Sequence, residues 1–232
     1  MKTKRMIGVA ALIGVLAVSA VAGAVGTLGV SARGAKVVTY PHPAQFTVRW
    51  SEPASQPIDV QVRYAGGEWR TFRTISATRA VESTKPATVV LPKPSADFEI
   101  RAVQGALESA IATGGVRSTL MASSRGSYRR GERVVVKGSI MPTLSVDSTI
   151  TVKVWKTSIK RSWHRGNGFG RPVLVRELVG EFTGKVYKSG SQMSLWKASF
   201  AIPAKGDYEA RAYYDDATHS PGASRLVRFR VK

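Results

Sequence analysis

The chain has no cysteine, so no disulfide can staple it and zinc sites built on thiolates are excluded. Histidine is scarce: His42, His164 and His219 are the only three, and none has a second histidine or a carboxylate at a recognised metal-ligand spacing. Acidic residues are few, with 15 Asp and Glu against 35 Lys and Arg. The pair Asp215 and Asp216 reads better as solvated loop carboxylates than as a calcium site, which needs six or more oxygens. No G-x-S-x-G elbow is present to activate a serine. "GNGFGR", residues 166 to 171, has Arg171 where a dinucleotide fingerprint needs its third glycine, and no Lys-Ser/Thr follows, so both phosphate-loop fingerprints fail. Its glycines suit a flexible hairpin tip. Carboxylates that converge only in the fold remain open as a glycan-cleaving pair. No cofactor and no metal are expected, and no enzyme.

What is present begins with Lys2, Lys4 and Arg5, followed by a run from Met6 to Val30 without a charged residue. A charged head, an apolar middle and small residues at the exit are the layout of a secretory signal. Candidate cleavage sites end at Ala20, Ala24 and Ala32. The run is also long enough to span a bilayer, which takes roughly 20 apolar residues, with its basic end in the cytoplasm. Residues 1–32 are therefore expected to be a signal peptide or a signal anchor, and the remainder extracytoplasmic, either secreted or held by that segment.

The formal net charge is +20, and it is unevenly spread. Residues 33–118 carry 11 basic and 7 acidic side chains, whereas residues 119–232 carry 21 and 8. The second half therefore holds most of a field that attracts anionic polymers or headgroups. Nucleic acid has the right charge but is not expected as a partner outside the cytoplasm.

After the leader, helical periodicity is almost absent and short alternating segments recur between turns. Phe46, Val48 and Trp50 share one face of "QFTVRW"; Ile58, Val60, Val62 and Tyr64 alternate with Asp59, Gln61 and Arg63; Phe98, Ile100 and Ala102 align. Further on, Val134, Val136 and Ile140, then Ile150, Val152 and Val154, repeat the pattern. A period of two marks strands with one buried face. Proline and glycine clusters at 53–57, 66–67 and 92–94 fall where turns are needed. Many short strands without covering helices imply an all-β fold of two tandem β-sandwich domains.

"FTVRWSEPASQPIDVQVRYAGGEWRTF", with Trp50, Tyr64 and Trp69, resembles the first half of a fibronectin type III domain. "LPKPSADFEIRAV" is similar to that family's corner, with Phe98 standing where a tyrosine is usual. "WKASFAIPAKGDYEARAYYDDATHSPGASRLVRFRV" resembles the last three strands of a bacterial Ig-like surface-protein repeat, and the resemblance implies that Tyr208 is a corner tyrosine. The first likeness covers residues 36–117 and the second residues 118–232. Together they imply a structural or adhesive exported protein, since such a fold alone licenses no activity. Arg228, Arg230 and Lys232, on the polar face of the last strand, read as protection of a sheet edge rather than a binding stripe.

One stretch is left, "KTSIKRSWHRGNGFGRPV", residues 156–173, read as an enlarged loop of the second domain. Lys156, Lys160, Arg161, Arg165 and Arg171 can pair with phosphate or carboxylate, Arg bidentately. Trp163 and Phe169 can stack on sugar rings or enter an interface, and His164 lies between them. The expected partner is an anionic cell-envelope polymer or polysaccharide. A surface protein is the alternative, the membrane is met only through an uncleaved leader, and a solvated loop is the plain reading.

Overall fold

The computed structural model describes residues 27–51, 56–76, 85–163 and 169–232. Most of the expected leader, residues 1–26, lies outside them. Every regular element among the described residues is a strand. The first nine are β1 (Leu28–Ala32), β2 (Val37–Thr39), β3 (Ala44–Trp50), β4 (Ile58–Tyr64), β5 (Arg70–Ile75), β6 (Ala87–Leu91), β7 (Phe98–Gln104), β8 (Leu107–Glu108) and β9 (Ala112–Arg117). The next ten are β10 (Thr119–Leu120), β11 (Ser123–Ser124), β12 (Ser127–Tyr128), β13 (Arg133–Met141), β14 (Thr149–Trp163), β15 (Phe169–Ser189), β16 (Ser194–Ala201), β17 (Gly206–Asp216), β18 (His219–Ala223) and β19 (Val227–Val231).

In the first half, β1, β3 and β6 form one sheet and β5, β4, β7 and β9 run along another. The alternation in the sequence is what lets them pack: Phe46, Val48, Ile58, Val60, Val89, Phe98 and Ile100 are buried in one cluster between the sheets, each worth roughly 1.5–3 kcal/mol of transfer free energy. Tyr64 departs from expectation, being exposed at the end of its strand. It precedes a tight turn in which Ala65 (φ 47°) and Gly66 (φ 73°) are both left-handed and Gly67 N–H donates to Tyr64 O at 2.9 Å. That geometry matches the natural twist of a hairpin.

The strand β1 comes from inside the apolar run expected to be leader. It pairs antiparallel with β3, Leu28 opposite Trp50 through Ala32 opposite Phe46, and Leu28, Val30 and Ala32 pack against the first core. A cut after Ala32 would remove this strand from its sheet, whereas cuts after Ala20 or Ala24 leave it intact.

In the second half, β13, β16, β15, β14 and β17 are hydrogen-bonded in that order, and β19 and β12 continue from β17. Val134, Val136, Ile150, Val152, Val154, Trp196, Tyr208 and Ala210 form a separate buried cluster. Tyr208 stacks on Phe229 at 5.6 Å and its hydroxyl donates to Ala204 O at 2.7 Å. The strand β19 has β17 on one side and β12 on the other. At Arg230 it is therefore not an edge, whereas at Arg228 only the β17 side is paired among the described residues.

The two cores meet at a polar seam. Ser220 of β18 pairs with Arg117 of β9. Asp97 N–H donates to Thr218 O at 2.7 Å, and Asp97 Oδ1 accepts from the backbone N–H of Val116 (2.5 Å) and Ser220 (3.1 Å). His219 is buried there, its Nε2 2.8 Å from Ser95 O and its Nδ1 2.9 Å from Asp216 Oδ1.

Candidate functional site

The stretch read as a loop is mostly strand. β14 pairs with β15 from Thr149 opposite Lys185 out to Trp163 opposite Phe169, with irregularities after Val154 and Arg161. Its β-branched residues, Thr151, Val152, Val154, Thr157 and Ile159, favour extended backbone, and the glycines that suggested a loop fall at or beside residues 164–168, outside the described residues. β14 also pairs with β17, but only as far as Thr157 opposite Asp207. Beyond that point Ser158 to Trp163 run on with β15 alone, a two-stranded ribbon roughly 20 Å long at about 3.3 Å per residue.

The expected binding residues are distributed along this ribbon. Lys156 lies at its base opposite Glu177 and Tyr208, its stem running beside Gly206, where an added Cβ would stand 3.0 Å from Lys156 Cε. Lys160 is exposed and lies opposite Val173. The backbone places Arg161 opposite Pro172 and Trp163 opposite Phe169, with Arg171 on the returning strand. The fold thus brings Trp163 and Phe169, six positions apart in sequence, into register. His164 and Arg165 lie outside the described residues.

The sequence reading missed the exposed apolar residues on both faces of the ribbon. Ile159 is 71% exposed and Leu178 52%, and Val173, Leu174 and Val179 are exposed as well. From Pro172 to Thr183, β15 has no second strand paired to it among the described residues, so its outer edge is open. The apolar-rich, β-branched run Val-Leu-Val-Arg-Glu-Leu-Val, residues 173–179, was the available signal.

Beside the ribbon base lies an open groove of about 710 Å³, bordered by Arg125, Thr157, Leu174, Asp207, Arg228 and Arg230. Its wall holds Glu209, whose side chain is 3% exposed, accepting from Arg176 Nε at 2.6 Å and Arg228 Nε at 3.0 Å. Burial opposes ionisation of Glu209, but the two arginine hydrogen bonds outweigh it and hold the carboxyl below its usual range. Arg230 grips Asp207 at 2.5 and 3.1 Å, and Arg125 pairs with Glu132 at 2.5 Å. Much of the groove's positive charge is therefore already matched, which makes it a weaker anion site than its arginine count suggests.

Asp215 is exposed, but Asp216 is not merely solvated. It receives the Tyr214 hydroxyl and the Thr218 backbone N–H at 2.8 Å, and lies 2.9 Å from His219 Nδ1. Burial pushes its pKa upward, but these hydrogen bonds prevail and bring it to about 2. No group of three or more His, Cys, Asp or Glu that could hold a metal exists among the described residues, and they contain no helix long and apolar enough to cross a membrane. In comparison with known proteins, neither a family model nor a curated relative matches the chain.

Proposed function

We propose that this is an exported, cell-envelope-associated binding or structural protein without catalytic machinery, which contacts an anionic envelope polymer or polysaccharide through its basic second half. Two separate buried cores support reading it as tandem sandwiches. The Tyr208 hydroxyl bond to Ala204, four residues upstream, fits the corner tyrosine of an Ig-like second module. The observation that carries the functional reading is the pairing of charge with shape: 21 basic and 8 acidic residues fall in positions 119–232, and their longest hairpin places Lys156, Lys160, Arg161 and Arg171 along a ribbon that outruns the sheet. Cations on a projecting arm meet a polymer before the domain surface does.

The test is co-sedimentation of the purified protein with isolated acidic envelope polymer and with an uncharged polysaccharide, alongside a variant carrying Lys160→Ser, Arg161→Ser, Trp163→Ser and Arg165→Ser. Retention on the acidic polymer alone, lost in the variant, supports the proposal. Equal retention on both polymers, or none, contradicts it.

A second reading, an accessory module that meets another surface protein, is favoured by the open edge of β15. An exposed strand edge with Leu178 and Val179 beside it is a template for strand addition.

A further inference from the structure

Three lysines stand in one line across the second sheet. Lys137 of β13 is the direct partner of Lys197 of β16, and Lys197 is the direct partner of Lys185 of β15. The line ends in hydroxyls: Ser123 of β11 is opposite Lys137 and Thr149 of β14 is opposite Lys185. The sequence neighbours Val136, Trp196, Ala198 and Val186 are buried, so strand alternation turns all three ammonium groups outward, and all three residues are exposed. In the next rung Lys188, opposite Leu195, adds a fourth cation. None of the four is in an ion pair with a carboxylate among the described residues.

Like charges directly opposite one another on neighbouring strands destabilise a sheet. Lys153, two rungs away on the same face, is matched by Glu181; what sets the row apart from the other unpaired cations is that its members are direct cross-strand neighbours. Strands lie about 4.8 Å apart, so the row is a line charge roughly 10 Å long running across the strands, bordered by Ser199, Thr183 and Thr151 rather than by acids. A row of charges suits a linear chain, and lysine ammonium groups bind phosphate oxygens as point charges.

We propose that the row Lys137, Lys197 and Lys185 is a binding site for a linear phosphate-bearing polymer laid across β13, β16 and β15. This rests on the reading of the second half as a polyanion contact, and extends that contact from the ribbon to the sheet face.

The test titrates the purified full chain against linear inorganic polyphosphate at low salt. Lys197→Ser should bind about fivefold more weakly and the triple variant Lys137→Ser, Lys185→Ser, Lys197→Ser about a hundredfold more weakly, from about fivefold per lysine near an anionic surface. Lys205→Ser, an exposed lysine off the row with the same change of net charge, should bind as the parent does. Without polyphosphate, Lys197→Ser should melt no lower than the parent, because it relieves two like-charge contacts, which separates lost binding from lost folding. Equal losses for Lys197→Ser and Lys205→Ser overturn the site in favour of diffuse charge. Loss confined to the ribbon variant overturns the site but leaves the polyanion reading standing. Absence of polyphosphate binding by the parent, with or without binding to phosphatidylglycerol vesicles, overturns the site, and the polyanion reading falls with it only if the acidic envelope polymer is not bound either.

Discussion

His219 reaches from the second core to the first, its Nε2–H donating to the carbonyl oxygen of Ser95 at 2.8 Å. The residues lie 124 positions apart, and with the Asp97 bonds to Val116 and Ser220 they make the seam a built contact rather than a loose linker. The sequence showed His219 only as a lone histidine near two aspartates.

Replacing His219 with Ala removes that donor and a partner of Asp216 and takes a buried ring out of the seam. The expected cost is about 2 kcal/mol, read as a lower denaturation midpoint with unchanged far-ultraviolet circular dichroism. A midpoint equal to the parent's contradicts the seam's importance.

Asp216 sets an acid limit. Its folded pKa, about 2, is below the ordinary aspartate value near 3.9, so the folded state binds this proton more weakly than the unfolded chain. Its stabilisation is complete above about pH 5 and is lost as pH falls through about 4 towards 2. Asp216→Asn should flatten the stability profile in that window, measured by denaturant unfolding at several pH values. An unchanged slope contradicts the assignment.

Glu209 and its two arginines should respond unequally. Arg176 and Arg228 are partly or largely exposed, 46% and 78%, so water can take over when Glu209→Gln removes their partner, at a cost of about 1–2 kcal/mol. The double variant Arg176→Ala, Arg228→Ala instead strands a buried carboxylate and should cost about 3 kcal/mol or more. Chemical denaturation of both variants checks the order.

Gly138 is where β13 passes beneath the backbone of Met121. An added Cβ would stand 1.9 Å from Met121 O and 2.7 Å from its carbonyl carbon, with no flexible side chain to move aside. Gly138→Ala should cost about 1–3 kcal/mol through displaced backbone, and thermal melting gives the answer.

The buried faces of β3, β4, β7, β13 and β14 were legible because one-sided burial writes a period of two into the chain, as in Phe46, Val48 and Trp50. The strand β1 was hidden because its apolar residues continue the leader-like run, and only pairing with β3 sets it apart. The ribbon was read as a loop because its glycines and arginines drew attention away from Thr157, Ile159, Val173 and Val175, which keep it extended. The lysine row could not be read at all: its members stand in "VVVKGSI", "TGKVYKS" and "LWKASF", and adjacency arises only from register. The same holds for the contacts of Asp97, whose partners lie far along the chain.

The measurement that bears most directly on the account is the dependence of binding on salt, using the purified protein and isolated acidic envelope polymer. Multiple ion pairs release counterions, so log affinity should fall linearly and steeply with log salt concentration. Replacing the lysine row should make that slope shallower by about one unit per residue. A contact nearly indifferent to salt would contradict polyanion binding and point instead to an apolar protein interface along β15.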